Sequence, residues 1–122
     1  SATIGLEQLK KLDRLNSKRK QIAKRYFDEI IFSEKMPFDS NCSYHLYWVR
    51  VKNRGVFMKN MKLNGVETGI HYKPIHNMSF YKSKKRLLHT DIVSKEIVSL
   101  PIHPNLSNSN VSKIIKLVNR FA

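Results

Sequence analysis

Gly65-Val66-Glu67-Thr68-Gly69-Ile70-His71-Tyr72-Lys73-Pro74-Ile75-His76-Asn77-Met78-Ser79-Phe80-Tyr81 lies between two helical patterns and decides how the chain is read. A helix-like pattern ends at Asn64-Gly65, because glycine takes the left-handed C′ conformation without a Cβ penalty. Val66–Ile70 then reads as a short, partly β-branched strand. His71 and Tyr72 stand at its far end, followed by a Pro74-containing loop with His76 and Tyr81. Loops held by a rigid element are where binding groups gather. The plainer alternative is a surface loop whose aromatics pack on the core.

Upstream, residues 3–31 read as one long helix. Leu6, Leu9, Leu12 and Leu15 recur at threes, and Ile22, Tyr26 and Ile30 continue the stripe. Asn16-Ser17 offers a cap for a new helix, so a kink or break is expected there. A single stripe over this length suits a helix that connects two bodies. The chain opens Ser-Ala-Thr-Ile-Gly-Leu without an initiator Met, which suggests a piece of something longer. Residues 33–42 are loop-like, and Tyr44–Val51 alternates aromatic and β-branched residues as a strand with two largely apolar faces. His45 is therefore expected to be packed. Asn53 is placed to cap a helix to about Asn64, with Phe57 and Met61 on its buried face.

Downstream, residues 89–99 read as helix with Ile92, Val93 and Ile97. Leu100–Pro104 is extended, since its two prolines forbid helix and suit an edge strand. Ser107 caps a last helix in which Val111, Ile114, Ile115, Val118 and Phe121 share one face. Three short strands with packed helices make a small α+β layer structure, its sheet mainly antiparallel.

The chain has 122 residues and 41% hydrophobic content, enough for one domain with an ordinary core. No apolar run approaches a bilayer-spanning length, so no membrane role is expected. Lone Cys42 permits no internal disulfide, which fits a reducing, cytoplasmic setting. The net charge of +14 would attract a polyanion. It is crowded on the first helix and in the run Lys82, Lys84, Lys85 and Arg86, which suits a solvated face. Nucleic acid is accordingly not the expected partner, and a basic module for binding nucleic acid or another polyanion stands as the alternative function.

Self-contained catalysis has little raw material here. His71 and His76 have no companion ligands at zinc spacing, so no metal site is expected. The nine acidic residues do not cluster, and isolated glycines at 5, 55, 65 and 69 make no phosphate-cradling loop. No RNP-type aromatic strand motif or Gly-x-x-Gly loop is present either.

Four segments carry a resemblance: Ala2-Thr3-Ile4-Gly5-Leu6-Glu7-Gln8-Leu9, Tyr44-His45-Leu46-Tyr47, Gly65 through His76, and Ser99-Leu100-Pro101-Ile102-His103-Pro104. In order and spacing they resemble the C-terminal part of the DegT/DnrJ/StrS aminotransferases, fold-type I pyridoxal-phosphate enzymes that aminate keto groups on nucleotide-linked sugars. The resemblance covers essentially the whole chain and centres on Thr68-Gly69-Ile70-His71-Tyr72. It implies a single C-terminal small domain, residues 1–31 being a linking helix and 43–122 an α/β body. It also implies a large cofactor-binding domain outside this chain, a homodimer, and glutamate as the usual amino donor. His71, Tyr72 and Tyr81 would contribute to the substrate pocket. The family's Schiff-base lysine and the carboxylate beneath the pyridine nitrogen belong to the large domain, and no residue here matches either. No catalytic or cofactor-binding residue is therefore expected in this chain, and alone it should neither hold pyridoxal phosphate nor transaminate. Exposure of His71, Tyr72 and Tyr81 on one edge would favour the pocket; full burial would favour a purely structural cluster.

Overall fold

The computed structural model describes residues 2–81 and 87–122. The basic run at Lys82, Lys84, Lys85 and Arg86 lies outside the described residues. The elements follow in the order α1 (Ala2–Glu29), β1 (Tyr47–Arg50), α2 (Arg54–Leu63), α3 (Leu88–Glu96), β2 (Ile97–Leu100) and α4 (Asn108–Phe121), with two 3-10 turns at Ile75–Asn77 and Ser79–Tyr81.

The two strands pair antiparallel, with Tyr47 opposite Leu100, Trp48 opposite Ser99, Val49 opposite Val98 and Arg50 opposite Ile97. The expected three-stranded sheet is thus a two-stranded ribbon. Its outer edges are met by single bridges, Lys35 against Val49 and Gly69 against Ser99. Val66–Ile70 does not lengthen into a strand, since only Gly69 exchanges backbone bonds with β2, at 3.0 and 2.8 Å. The third expected strand also shifts. Isoleucine and valine at 97 and 98 extend the backbone earlier than expected, and Pro101, which has no N–H to offer a ladder, follows the last strand residue.

α1 passes through Asn16-Ser17 without interruption, so no new helix is capped there. Its C-terminal half packs through Ile22, Ala23 and Tyr26, while Ile4, Leu6, Leu9 and Leu12 of the N-terminal half are exposed. α2 begins after Asn53 as expected, although the Asn53 side chain makes no capping bond. Gly65 ends it at φ +74°, the left-handed C′ geometry. Ser107 caps α4, its Oγ accepting from the Asn110 N–H at 3.2 Å. Val111, Ile114, Ile115 and Val118 are buried, as their spacing predicts. Together α1, α2 and α4 enclose a core with the ribbon's Tyr47, Val49, Val98 and Leu100.

β1 starts at Tyr47 rather than Tyr44. Tyr44 sits at φ +51° and redirects the chain, so its ring stacks on Phe38 at 5.8 Å instead of continuing the ladder. For a non-glycine residue that conformation costs on the order of 1–2 kcal/mol, offset by complete burial of the ring. His45, released from the strand, is exposed, which corrects the expectation that it is packed.

Two buried phenols deserve a quantitative expectation. The Tyr26 hydroxyl donates to the Pro101 carbonyl at 2.7 Å and the Tyr47 hydroxyl to the Met36 carbonyl at 3.0 Å. Burial pushes both phenols well above their ordinary range. A raised folded pKa means that stability is fully present below the unfolded phenol value near 10 and falls as pH rises beyond it. Tyr26→Phe should lower stability in urea by about 1–2 kcal/mol near neutral pH, by leaving a carbonyl unpaired. The same variant should also flatten the decline above pH about 10; an unchanged alkaline slope would contradict this. Gly65→Ala should cost about 1–2 kcal/mol through its left-handed backbone, measured by the same urea midpoint shift.

Candidate functional site

The Gly65–Tyr81 segment is fixed at three points. At its start Gly65 N–H donates to Lys62 O and Val66 N–H to Met61 O, both at 2.9 Å, and Val66 is buried. In the middle, Gly69 is clamped to Ser99 by the two-way bridge already described. Beyond Pro74, the His76 Nε2 meets Asp91 Oδ1 of α3 at 2.8 Å, and Asn77 Nδ2 donates to the same oxygen at 3.4 Å. The His76 imidazole, with Asn77 beside it, holds the Asp91 carboxyl below its usual range. These anchors present His71 and Tyr72 between a ribbon edge and a helix.

A groove of about 390 Å³ opens there. One wall is His71, Tyr72 and Pro74; the other is His89, Thr90, Val93 and Ser94 of α3 with Ile97 at the start of β2. The size lies within the range of small-molecule pockets, roughly 300–1,000 Å³. Its chemistry is imidazole, phenol and hydroxyl on an apolar floor, suited to hydrogen-bonding an oxygen-rich ligand.

His71 is partly buried and its ring meets Tyr72 edge-on at 5.0 Å. Its Nδ1 is buried without a hydrogen-bond partner among the described residues. Tyr72 is 66% exposed and Tyr81 60%. The cluster is therefore not swallowed by the core. Tyr81 is seated differently from the other two: its N–H bonds Met78 O at 3.1 Å in the second 3-10 turn, and its ring meets Phe80 edge-on at 5.2 Å. It does not line the groove with His71 and Tyr72. Ile70, Ile75, Phe80, Leu88 and Ile92 are exposed on the same segment and on α3.

His89, Thr90 and Ser94 also line the groove and were not among the expected site residues. Their signal was present, because positions 89, 90, 93, 94 and 97 fall on one face at helical spacing. What hid it was tertiary: contacts remote in sequence, among them the bonds of His76 and Asn77 to Asp91, bring α3 against the His71 loop. Among the described residues no three His, Cys, Asp or Glu side chains converge as a metal site, and no helix is long and apolar enough to cross a membrane.

The DegT/DnrJ/EryC1/StrS aminotransferase family model matches residues 1–119. Among solved structures, the aminotransferase TlmJ from Streptoalloteichus hindustanus is 30% identical over 98% of this chain and 35% of its own, with a TM-score of 0.89. PseC from Helicobacter pylori, an aminotransferase involved in the biosynthesis of pseudoaminic acid, is 25% identical and covers 96% of this chain and 35% of its own, with a TM-score of 0.85. Spr1654 from Streptococcus pneumoniae in its PMP form is 26% identical over 98% of this chain and 34% of its own, with a TM-score of 0.82. The chain thus spans about a third of the length of these structures. With its fold shared across nearly every residue and the family match running from residue 1 to 119, this chain belongs to the DegT/DnrJ/EryC1/StrS aminotransferase family.

Proposed function

We propose that this chain is the C-terminal small domain of a pyridoxal-phosphate aminotransferase that aminates a keto group on a nucleotide-linked sugar. The observation that carries this reading is the open groove holding His71 and Tyr72, its hydrogen-bonding groups half-exposed on an apolar rim. PseC, solved as an enzyme of pseudoaminic acid biosynthesis, supports a sugar as the class of substrate.

In this proposal residues 43–122 form the body and residues 1–31 the linking helix. The exposed Ile4, Leu6, Leu9 and Leu12 are the surface on which a large cofactor-binding domain would rest. The parent enzyme is a cytoplasmic homodimer with glutamate as amino donor, and the substrate cleft is shared by both domains and the partner subunit. His71 and Tyr72 bind and orient the sugar nucleotide as one wall of that cleft. Tyr81 acts from the adjoining turn, outside this groove, where an aromatic face borders the same cleft.

The residues present do not fit the cofactor itself. Pyridoxal phosphate needs an amine to anchor it and a carboxylate beneath its pyridine nitrogen, and among the described residues the groove is lined by neither. Amino transfer is accordingly assigned to the rest of the parent protein, and this chain's part is to bind, orient and exclude water.

His71→Ala in the intact parent enzyme should therefore reduce turnover of the sugar nucleotide by roughly 10-fold or more, the worth of one lost hydrogen bond to a charged or oriented group. Cofactor affinity, read from its absorbance, should change little. Equal loss of both would sink the substrate role.

A further inference from the structure

We propose that Gly69 is a positioning residue: by having no side chain it seats the His71 imidazole against the backbone and fixes it as the Nε2–H tautomer. The groove then receives a hydrogen-bond donor from His71. This deepens the substrate-groove reading, and rests on it only for the identity of the accepting atom.

The steric argument is direct. A Cβ built on Gly69 would lie 2.5 Å from His71 Cε1, 3.1 Å from Nδ1 and 3.3 Å from Nε2. Contacts of that kind below 3.0 Å are essentially never seen for real Cβ atoms. Unlike Gly65, Gly69 does not occupy the left-handed region, so space rather than backbone conformation is what glycine supplies. Nor can the backbone back away. Gly69 N–H donates to Ser99 O at 3.0 Å and Ser99 N–H donates to Gly69 O at 2.8 Å. Ser99 is itself buried in β2 opposite Trp48. With the strand fixed on one side, any side chain at position 69 must displace the imidazole.

The tautomer follows from what the seated ring can reach. Nδ1 is buried and, among the described residues, has no partner. An orphaned buried N–H is the rarer exception in native structures and an under-satisfied acceptor the commoner one. The neutral ring therefore leaves Nδ1 bare and carries its proton on Nε2. An Nε2–H selects for ligand oxygen atoms with free lone pairs, which sugar hydroxyls, keto groups and phosphates all offer. It would not pair with an ammonium group.

The test uses the 15N-labelled 122-residue chain and long-range proton–nitrogen correlation of its imidazoles, at a pH about two units above the ordinary histidine value. His71 should show a bare Nδ1 and a protonated Nε2. The exposed His45, His89 and His103 should show tautomer-averaged nitrogens. An averaged or Nδ1-protonated His71 overturns the proposal. In Gly69→Ala the His71 nitrogens should collapse toward the averaged positions, with α2 and α4 amide signals retained; an unmoved His71 overturns the role of Gly69. Gly55→Ala, where a Cβ meets nothing within 4 Å, serves as the control. If Gly69→Ala fails to fold, adding His71→Ala should restore folding, because the clashing ring is gone. Equal damage in both backgrounds overturns the proposal. None of these measurements involves a sugar, so their failure is distinguishable from failure of the substrate reading.

Discussion

Three buried phenols hold this domain together. The rings of Tyr26, Tyr44 and Tyr47 are fully buried in a row, with Tyr26 and Tyr47 centred 5.1 Å apart and Tyr44 and Tyr47 6.4 Å apart. Each hydroxyl donates to a backbone carbonyl: Pro101 after β2 for Tyr26, and Asp39 and Met36 in the loop before β1 for Tyr44 and Tyr47. A buried hydroxyl without a partner would be destabilising by about 1–3 kcal/mol, so the carbonyls are forced into place as the rings pack. α1, the loop before β1, β1 itself and the exit of β2 are thereby tied at one locus. Two four-residue strands are too little to stand as a ribbon in water. The aromatic row and the helices behind it supply what the ladder lacks.

Fixing the ribbon fixes the site. β2 offers its free edge to Gly69 alone, and that single exchange sets where His71 lies relative to α3. The His76–Asp91 bond then closes the loop from the other side. A longer third strand would have carried Ile70 and His71 along β2 in alternation, sending them to opposite faces. Ending the pairing after one residue lets the loop turn and bring His71 and Tyr72 together onto one groove. The brevity of that contact is therefore part of how the site is made.

What the sequence disclosed follows the range of the forces involved. Helix ends were legible where a local residue decides them, as at Gly65 and Ser107, whose geometry is set by φ preference and by a side chain three residues from its partner. The buried faces of α2 and α4 were legible from periodicity. The strands were not, because their limits depend on remote partners. Tyr44 has strong β propensity yet takes a left-handed conformation so that its ring can reach Phe38. Val66–Ile70 has a strand's composition but only one residue's worth of edge to pair with. His71 and Tyr72 were named from a motif, and both line the groove. His89, Thr90 and Ser94 needed the third dimension, since contacts remote in sequence bring α3 against the loop.

Charge is the loudest property of the chain and has the least to do with this groove. Several cations are already committed: Arg50 pairs with Glu34 and Glu96, Arg25 with Glu29 and Lys24 with Asp28. The exposed Lys24–Asp28 pair contributes little to stability, and together these pairs leave a generally attractive surface. Among the described residues, the groove lining carries no lysine, arginine or carboxylate. Discrimination there must come from hydrogen-bond geometry and shape, with the diffuse positive field serving at most to draw an anionic ligand inward. Lys73, exposed beside Tyr72, is the nearest cation along the chain to such a ligand. A site with neutral donors inside and positive charge outside suits a neutral sugar joined to an anionic diphosphate better than it suits a polyanion bound along its length. That contrast favours the sugar-nucleotide groove over a polyanion-binding module as the function of this domain.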